Sequence, residues 1–146
     1  MLDMWEFAAE RGLTVVEDRG PHRSGYHPGE RVIRLSAGMR GRVQRSVLAH
    51  EIAHHELGHR PIPSGLERDR QESAANRWAA STLISPLEYA TVERLRGGHL
   101  PSMAVDLQVS DELVVVYQQM LFRAENTVYV GPRMGLGQWD YRQEVA

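Results

Sequence analysis

The chain has 146 residues, room for one domain around one core, and its 42% hydrophobic and 25% charged content is ordinary for a globular fold. The absence of cysteine excludes disulfides, thiolate metal sites, iron–sulfur clusters and a cysteine nucleophile. The net charge is −2, and all 17 basic residues are arginines scattered among acids, so no face for direct nucleic-acid binding is expected.

The first residues, MLDMWEFAAERG, carry acids and lack the basic start and apolar run of a secretion signal. No stretch approaches the roughly 18 apolar residues of a membrane span, so a cytoplasmic protein without a membrane partner is expected. A helix over Asp3 to Arg11 should stop at Gly12, and Leu13 to Val16 reads as a strand closed by the turn Asp18-Arg19-Gly20-Pro21. Tyr26 precedes a turn at His27-Pro28-Gly29, and Arg31 to Leu35 alternates as a strand with one buried face does. A long helix from Arg40 to Gly58 is ended by Gly58, Pro61 and Pro63, and a second runs from Leu66 to Leu83. Ser85-Pro86-Leu87-Glu88 is a capping box that opens a third, ending at Gly97-Gly98. Shorter helices over Ser102 to Leu107 and Ser110 to Phe122 follow, the last with Ser110 as its N-cap and Asp111 and Glu112 in its first turn. Thr127 to Val130 reads as a late strand, and residues 131–146 as a flexible tail of a single domain spanning 1–146.

The chemistry sits in His50-Glu51-Ile52-Ala53-His54. Side chains four apart share a helix face, so two imidazoles can bind one ion while Glu51, on an adjoining face, reaches the water to be activated. The motif is embedded in Val47-Leu48-Ala49 and Ile52-Ala53, so the helix is apolar around most of its circumference, only the side of Arg42, Arg45 and Glu56 reading as wet. Polar groups on a buried helix need partners, and a metal is one for imidazoles. The motif recurs at once as His55-Glu56-Leu57-Gly58-His59, but that pair occupies the terminating turn. A structural role is expected for both histidines, His59 being placed to bond the free carbonyls of the helix end.

A catalytic zinc site needs a third protein ligand and leaves one position to water. The H-E-x-x-H-x-x-G-x-x-H pattern fails, because positions 57 and 60 are Leu57 and Arg60. Among Glu67, Asp69 and Glu72 on the next helix, Glu72 shares a stripe with Asn76, Ala79 and Leu83, whereas Glu67 lies opposite and Asp69 sits at the helix entrance. A carboxylate on a core-facing stripe calls for a cation, which selects Glu72. Asn76, one turn on, could orient a histidine ligand, and Ala74, Ala75, Ala79 and Ala80 let the two helices approach closely.

The segments Val47 to His59 and Glu72-Ser-Ala-Ala-Asn76-Arg-Trp-Ala-Ala-Ser-Thr-Leu-Ile-Ser-Pro86 resemble the active-site blocks of the ImmA/IrrE metallopeptidases, with a looser echo at Ala104 to Ser110. The resemblance covers roughly residues 24 to 120; Trp78 stands where phenylalanine is usual and Ser85 where an aliphatic is usual. It implies metal ligands at His50, His54 and Glu72, a general base at Glu51 and a Zn2+ cofactor. It also implies an α+β fold, mainly helical and zincin-like, with a small N-terminal sheet on the active-site helix and a C-terminal helical part. Members of that family cleave or otherwise inactivate helix-turn-helix repressors of mobile elements and stress regulons. The implied function is therefore a zinc endopeptidase acting on such a repressor, or alternatively a zinc-stabilised antirepressor that acts by contact. A DNA-reading role for Ser110 to Phe122 is disfavoured, since its charges are Asp111 and Glu112, the wrong sign for phosphate. Tyr26, His55, Tyr89 and His99 are the candidate donors to a developing oxyanion.

Overall fold

In the computed structural model, which describes residues 1–20 and 24–134 with side chains to residue 124, helices dominate and one small sheet is present. The elements in chain order are α1 (Met4–Glu10), β1 (Thr14–Asp18), β2 (Gly25–His27), β3 (Val32–Ser36), α2 (Gly41–Glu56), α3 (Leu66–Leu83), α4 (Pro86–Arg96), α5 (Leu100–Leu107) and α6 (Asp111–Met134). This is a mainly helical α+β fold with its sheet at the N-terminal end.

Local chemistry accounts for most boundaries. Asp3 Oδ1 accepts from the backbone N–H groups of Trp5 and Glu6, at 2.9 and 3.2 Å, and starts α1. Ser85 Oγ accepts from the Glu88 N–H at 3.1 Å and, with Pro86 behind it, starts α4. Gly97, in the left-handed region at φ 57°, stops it. Helix α5 begins two residues earlier than its sequence suggests, because Pro101 is accommodated in its first turn and His99 acts as the N-cap.

The sheet has the order β1-β3-β2. Strand β1 runs parallel to β3 with Thr14 opposite Val32, and β2 runs antiparallel to it with Tyr26 opposite Ile33. Alternation along β3 buries Ile33 and Leu35 completely, and this face joins the core formed with α2. From α2 come Leu48, Ala49 and Ile52, and from α3 Ala79, Ala80 and Leu83. Full burial of a side chain such as Ile52 contributes ~1.5–3 kcal/mol. The alanines Ala75, Ala79 and Ala80, all fully buried, keep α3 close to α2.

Three sequence readings are corrected or extended here. Tyr26 lies inside a short edge strand, β2, rather than only ahead of a turn; three residues are too few to show a period-two pattern. Residues 127–130 are helical, not a strand, because α6 continues to Met134; extending an established helix adds a hydrogen bond per residue, whereas a strand there would need a sheet partner. Gly131 to Met134 thus belong to α6, and the rest of the proposed tail lies outside the described residues.

The third correction concerns the side of α2 that reads as wet. Arg42 donates to the Val109 carbonyl at 3.0 Å and pairs with Asp111 at 3.0 Å, while Arg45 donates to the Gln108 carbonyl at 2.9 Å. Ser46, buried on the same face, accepts from the Ser110 N–H at 2.9 Å through Oγ. Ser110 in turn caps α6 by accepting from the Leu113 N–H. Farther along, Glu56 is exposed, as the reading of this side expects, and pairs with Arg11 at 2.6 Å. These polar residues therefore clamp the α5–α6 turn and α1 onto α2.

Ser46→Ala should accordingly destabilise the protein by ~1–3 kcal/mol, the cost of leaving the buried Ser110 N–H without an acceptor. Denaturant unfolding of the two proteins measures it, and an unchanged midpoint would contradict the clamp.

Candidate metal centre

Helix α2 enters the core carrying His50 and His54 on one face, and α3 brings Glu72 against them. The Nε2 atom of His50 lies 2.8 Å from Glu72 Oε2, that of His54 lies 3.5 Å from Glu72 Oε1, and the two Nε2 atoms are 3.2 Å apart. One ligand atom from each residue falls within 4.8 Å of the others. Two imidazole nitrogens and a carboxylate oxygen with convergent lone pairs form a donor set suited to a divalent ion of the zinc type, and three protein ligands leave a further position open.

The remaining ring nitrogens are occupied. Asn76 Oδ1 lies 2.7 Å from His50 Nδ1 and can accept its N–H, so that Nε2 is the nitrogen available to ligate a metal. His54 Nδ1 lies 2.9 Å from His59 Nδ1. Burial, with the neighbouring His50 and opposed by Glu72, lowers the His54 pKa to about 4 in the metal-free protein. The ring is therefore neutral near pH 7, the form that ligates a metal.

Glu51 projects beside this cluster and is buried at 8% exposure. Burial is the largest influence on its carboxyl and raises its pKa to about 6; His50 opposes this, Glu72 adds to it, and a hydrogen bond from the Tyr26 backbone N–H opposes it. The edge strand β2 thus holds Glu51 from one side. Tyr26 also pins β2 to α2 through its hydroxyl, 2.9 Å from His55 Nδ1.

A cleft of about 380 Å³ opens over these groups, with Tyr26, Glu51, His54, His59, Arg68 and Glu72 among its lining residues. Glu67 and Asp69 are exposed in the first turn of α3, where the helix dipole accounts for them. Of the candidate oxyanion donors, Tyr26 lines the cleft, whereas Tyr89 is buried against Tyr117 and bonded to Glu93, and His99 caps α5. The second motif pair separates: His55 faces Tyr26, and His59 turns to His54 instead of bonding the helix-end carbonyls by its ring. The β2 contact to Glu51 and the His54–His59 contact are the features sequence reasoning misses. Both depend on a chain reversal, not on a periodicity.

The model of the Peptidase M78 family, described as the IrrE N-terminal-like domain, matches residues 8–124. The chain belongs to this family. The match takes in β1 to β3, α2 to α5, the first part of α6 and every residue of the cluster. Membership and a convergent histidine–glutamate group together place the chain in a metallopeptidase-like family with a site compatible with a metal ion. No curated protein matches it significantly. The two departures read against the ImmA/IrrE resemblance have local partners: Trp78 packs edge-on against Phe7 with centroids 5.8 Å apart, and Ser85 caps α4.

The raised Glu51 pKa has a consequence for the metal-free protein. A carboxyl whose pKa rises from about 4.5 to about 6 on folding favours the folded state fully below pH 4.5, and that contribution is lost as pH rises through 6. Metal-free Glu51→Gln should therefore match the wild type at pH 4 and exceed it by ~2 kcal/mol at pH 7.5. Denaturation at both pH values checks this, and a pH-independent difference would contradict it.

Proposed function

We propose that this chain is a zinc-dependent endopeptidase that cleaves a helix-turn-helix repressor, or a similar regulator of a mobile element or stress response, in the cytoplasm. The observation that carries the reading is the placing of a buried carboxylate, Glu51, beside three convergent ligand atoms on a cleft. His50, His54 and Glu72 would hold the ion. When bound, zinc supplies a lowered water pKa and a Lewis acid for the scissile carbonyl.

The remaining steps belong to the protein. Glu51, a buried carboxylate beside the ligand atoms, is the group placed to exchange a proton with the attacking water. It takes the proton of the attacking water and returns it to the leaving amine. Asn76 keeps His50 in the tautomer that presents Nε2. Tyr26 is the candidate on the cleft for donating to the oxyanion. Strand β2, at the sheet edge, offers an extended substrate segment a place to lie.

The target class rests on the resemblance to ImmA/IrrE proteins and on M78 membership. No described helix is long and apolar enough to cross a membrane, which is compatible with a cytoplasmic site of action. The competing reading, a zinc-stabilised antirepressor working by contact, shares every feature except a need for Glu51.

Glu51→Gln should still bind zinc and its target, while cleavage falls by ~10²- to 10⁴-fold, the usual contribution of general base catalysis. Cleavage and derepression are assayed side by side. A variant that derepresses fully while its target stays intact would establish action by contact and defeat the peptidase reading.

A further inference from the structure

The end of α2 is built by Gly58. Its φ of 67° lies in the left-handed region, its N–H donates to the His55 carbonyl at 3.1 Å, and the His59 N–H donates back to the His54 carbonyl at 2.9 Å. This pair of bonds is the Schellman helix stop, which folds the residue two beyond the cap over the residue that opens the last turn. An apolar contact usually joins those two side chains. Here the two are imidazoles, His59 over His54, with ring centroids 5.1 Å apart and Nδ1 atoms 2.9 Å apart.

Two ring nitrogens at that separation share a proton, one donating and the other accepting. His54 Nε2 faces the cluster of Glu72 Oε1 and His50 Nε2, and when it presents its lone pair to a metal there, the nitrogen left to donate is Nδ1. We propose that His59 is the positioning residue of His54: it accepts the His54 Nδ1–H and thereby keeps His54 Nε2 aimed at the metal. This rests on the reading of His50, His54 and Glu72 as metal ligands. Asn76 does the same for His50 from α3, so each histidine has its own outer acceptor on a different segment. His59 is not itself in the convergent ligand group, which among the described residues comprises His50, His54 and Glu72. The helix stop thus doubles as a support for the site: Gly58 sets the chain path, and the path sets the histidine.

The test uses the full chain and zinc alone. Affinity is measured by competition with a chromogenic chelator for wild type, His59→Ala, His59→Asn and His54→Ala, with the thermal stability of each metal-free protein alongside. His59→Ala should keep one zinc per chain but bind it ~10- to 100-fold more weakly, the usual effect of removing an outer partner of a metal ligand. His59→Asn should recover most of the loss, because an amide oxygen can accept the same proton, as Asn76 does opposite His50. The metal-free His59→Ala protein should melt close to wild type. Wild-type affinity in His59→Ala, with zinc lost from His54→Ala, overturns the positioning role and leaves the metal site standing. Equal weakness of the alanine and asparagine variants overturns it as well, pointing to general packing. Zinc retained at full affinity by His54→Ala would instead overturn the ligand assignment beneath the proposal.

Discussion

A helix that carries polar groups into a core must find them partners, and α2 does so for its buried side-chain nitrogens and oxygens with the exception of Arg45 Nε. Burying an unpartnered polar group costs ~1–3 kcal/mol on protein mutational scales, and an isolated charge far more. Glu51 meets the Tyr26 backbone, His50 meets Asn76 and Glu72, and His54 meets His59 and Glu72. His55 meets Tyr26, and Ser46 meets the α6 cap. The partners come from β2, α3, the chain beyond α2 and the α5–α6 turn. The surrounding fold can be read as the set of segments needed to satisfy one helix.

That arrangement divides the labour. Alanines let α3 come close enough for Glu72 to reach the histidines. Strand β2 sits where its backbone contacts Glu51 and its edge borders the cleft, so one element tunes the carboxylate and shapes the approach to it. Arg42, Arg45 and Ser46 anchor the C-terminal helices by backbone groups of residues 108–110, which holds the opposite side of α2 without adding charges to the cleft. Donor atoms whose other faces are occupied cannot rotate freely, which is the preorganisation a metal site needs.

Much of this was legible from the residues. The Ser85-Pro86 cap, the Ile33 and Leu35 alternation and the helix from Leu66 to Leu83 follow from local chemistry, the strand being displaced by one residue from Arg31–Leu35 to Val32–Ser36. The pairing of His50, His54 and Glu72 was legible because helical periodicity marks a shared face and a carboxylate on an apolar stripe is out of place without a partner. Contacts created by chain reversal were not. Strand β2 is too short to alternate, and its role beside Glu51 exists only once β3 has placed it. Arg42 looks like a solvated residue until the turn 67 residues later arrives to offer its carbonyl. The ring of His59 faces His54 because the helix stop turns it there, whereas position alone favours helix-end carbonyls.

The central claim is that the metal sits between α2 and α3 and that Glu51 stands next to it without binding it. Crystals of the zinc-loaded protein, with anomalous differences collected at the zinc edge, test this most directly. The account predicts one peak per chain at ~2.0–2.2 Å from His50 Nε2, His54 Nε2 and a Glu72 oxygen, with the Glu51 carboxylate outside that shell. A peak on His55 and His59, or one ligated by Glu51 with Glu72 turned to solvent, would contradict it.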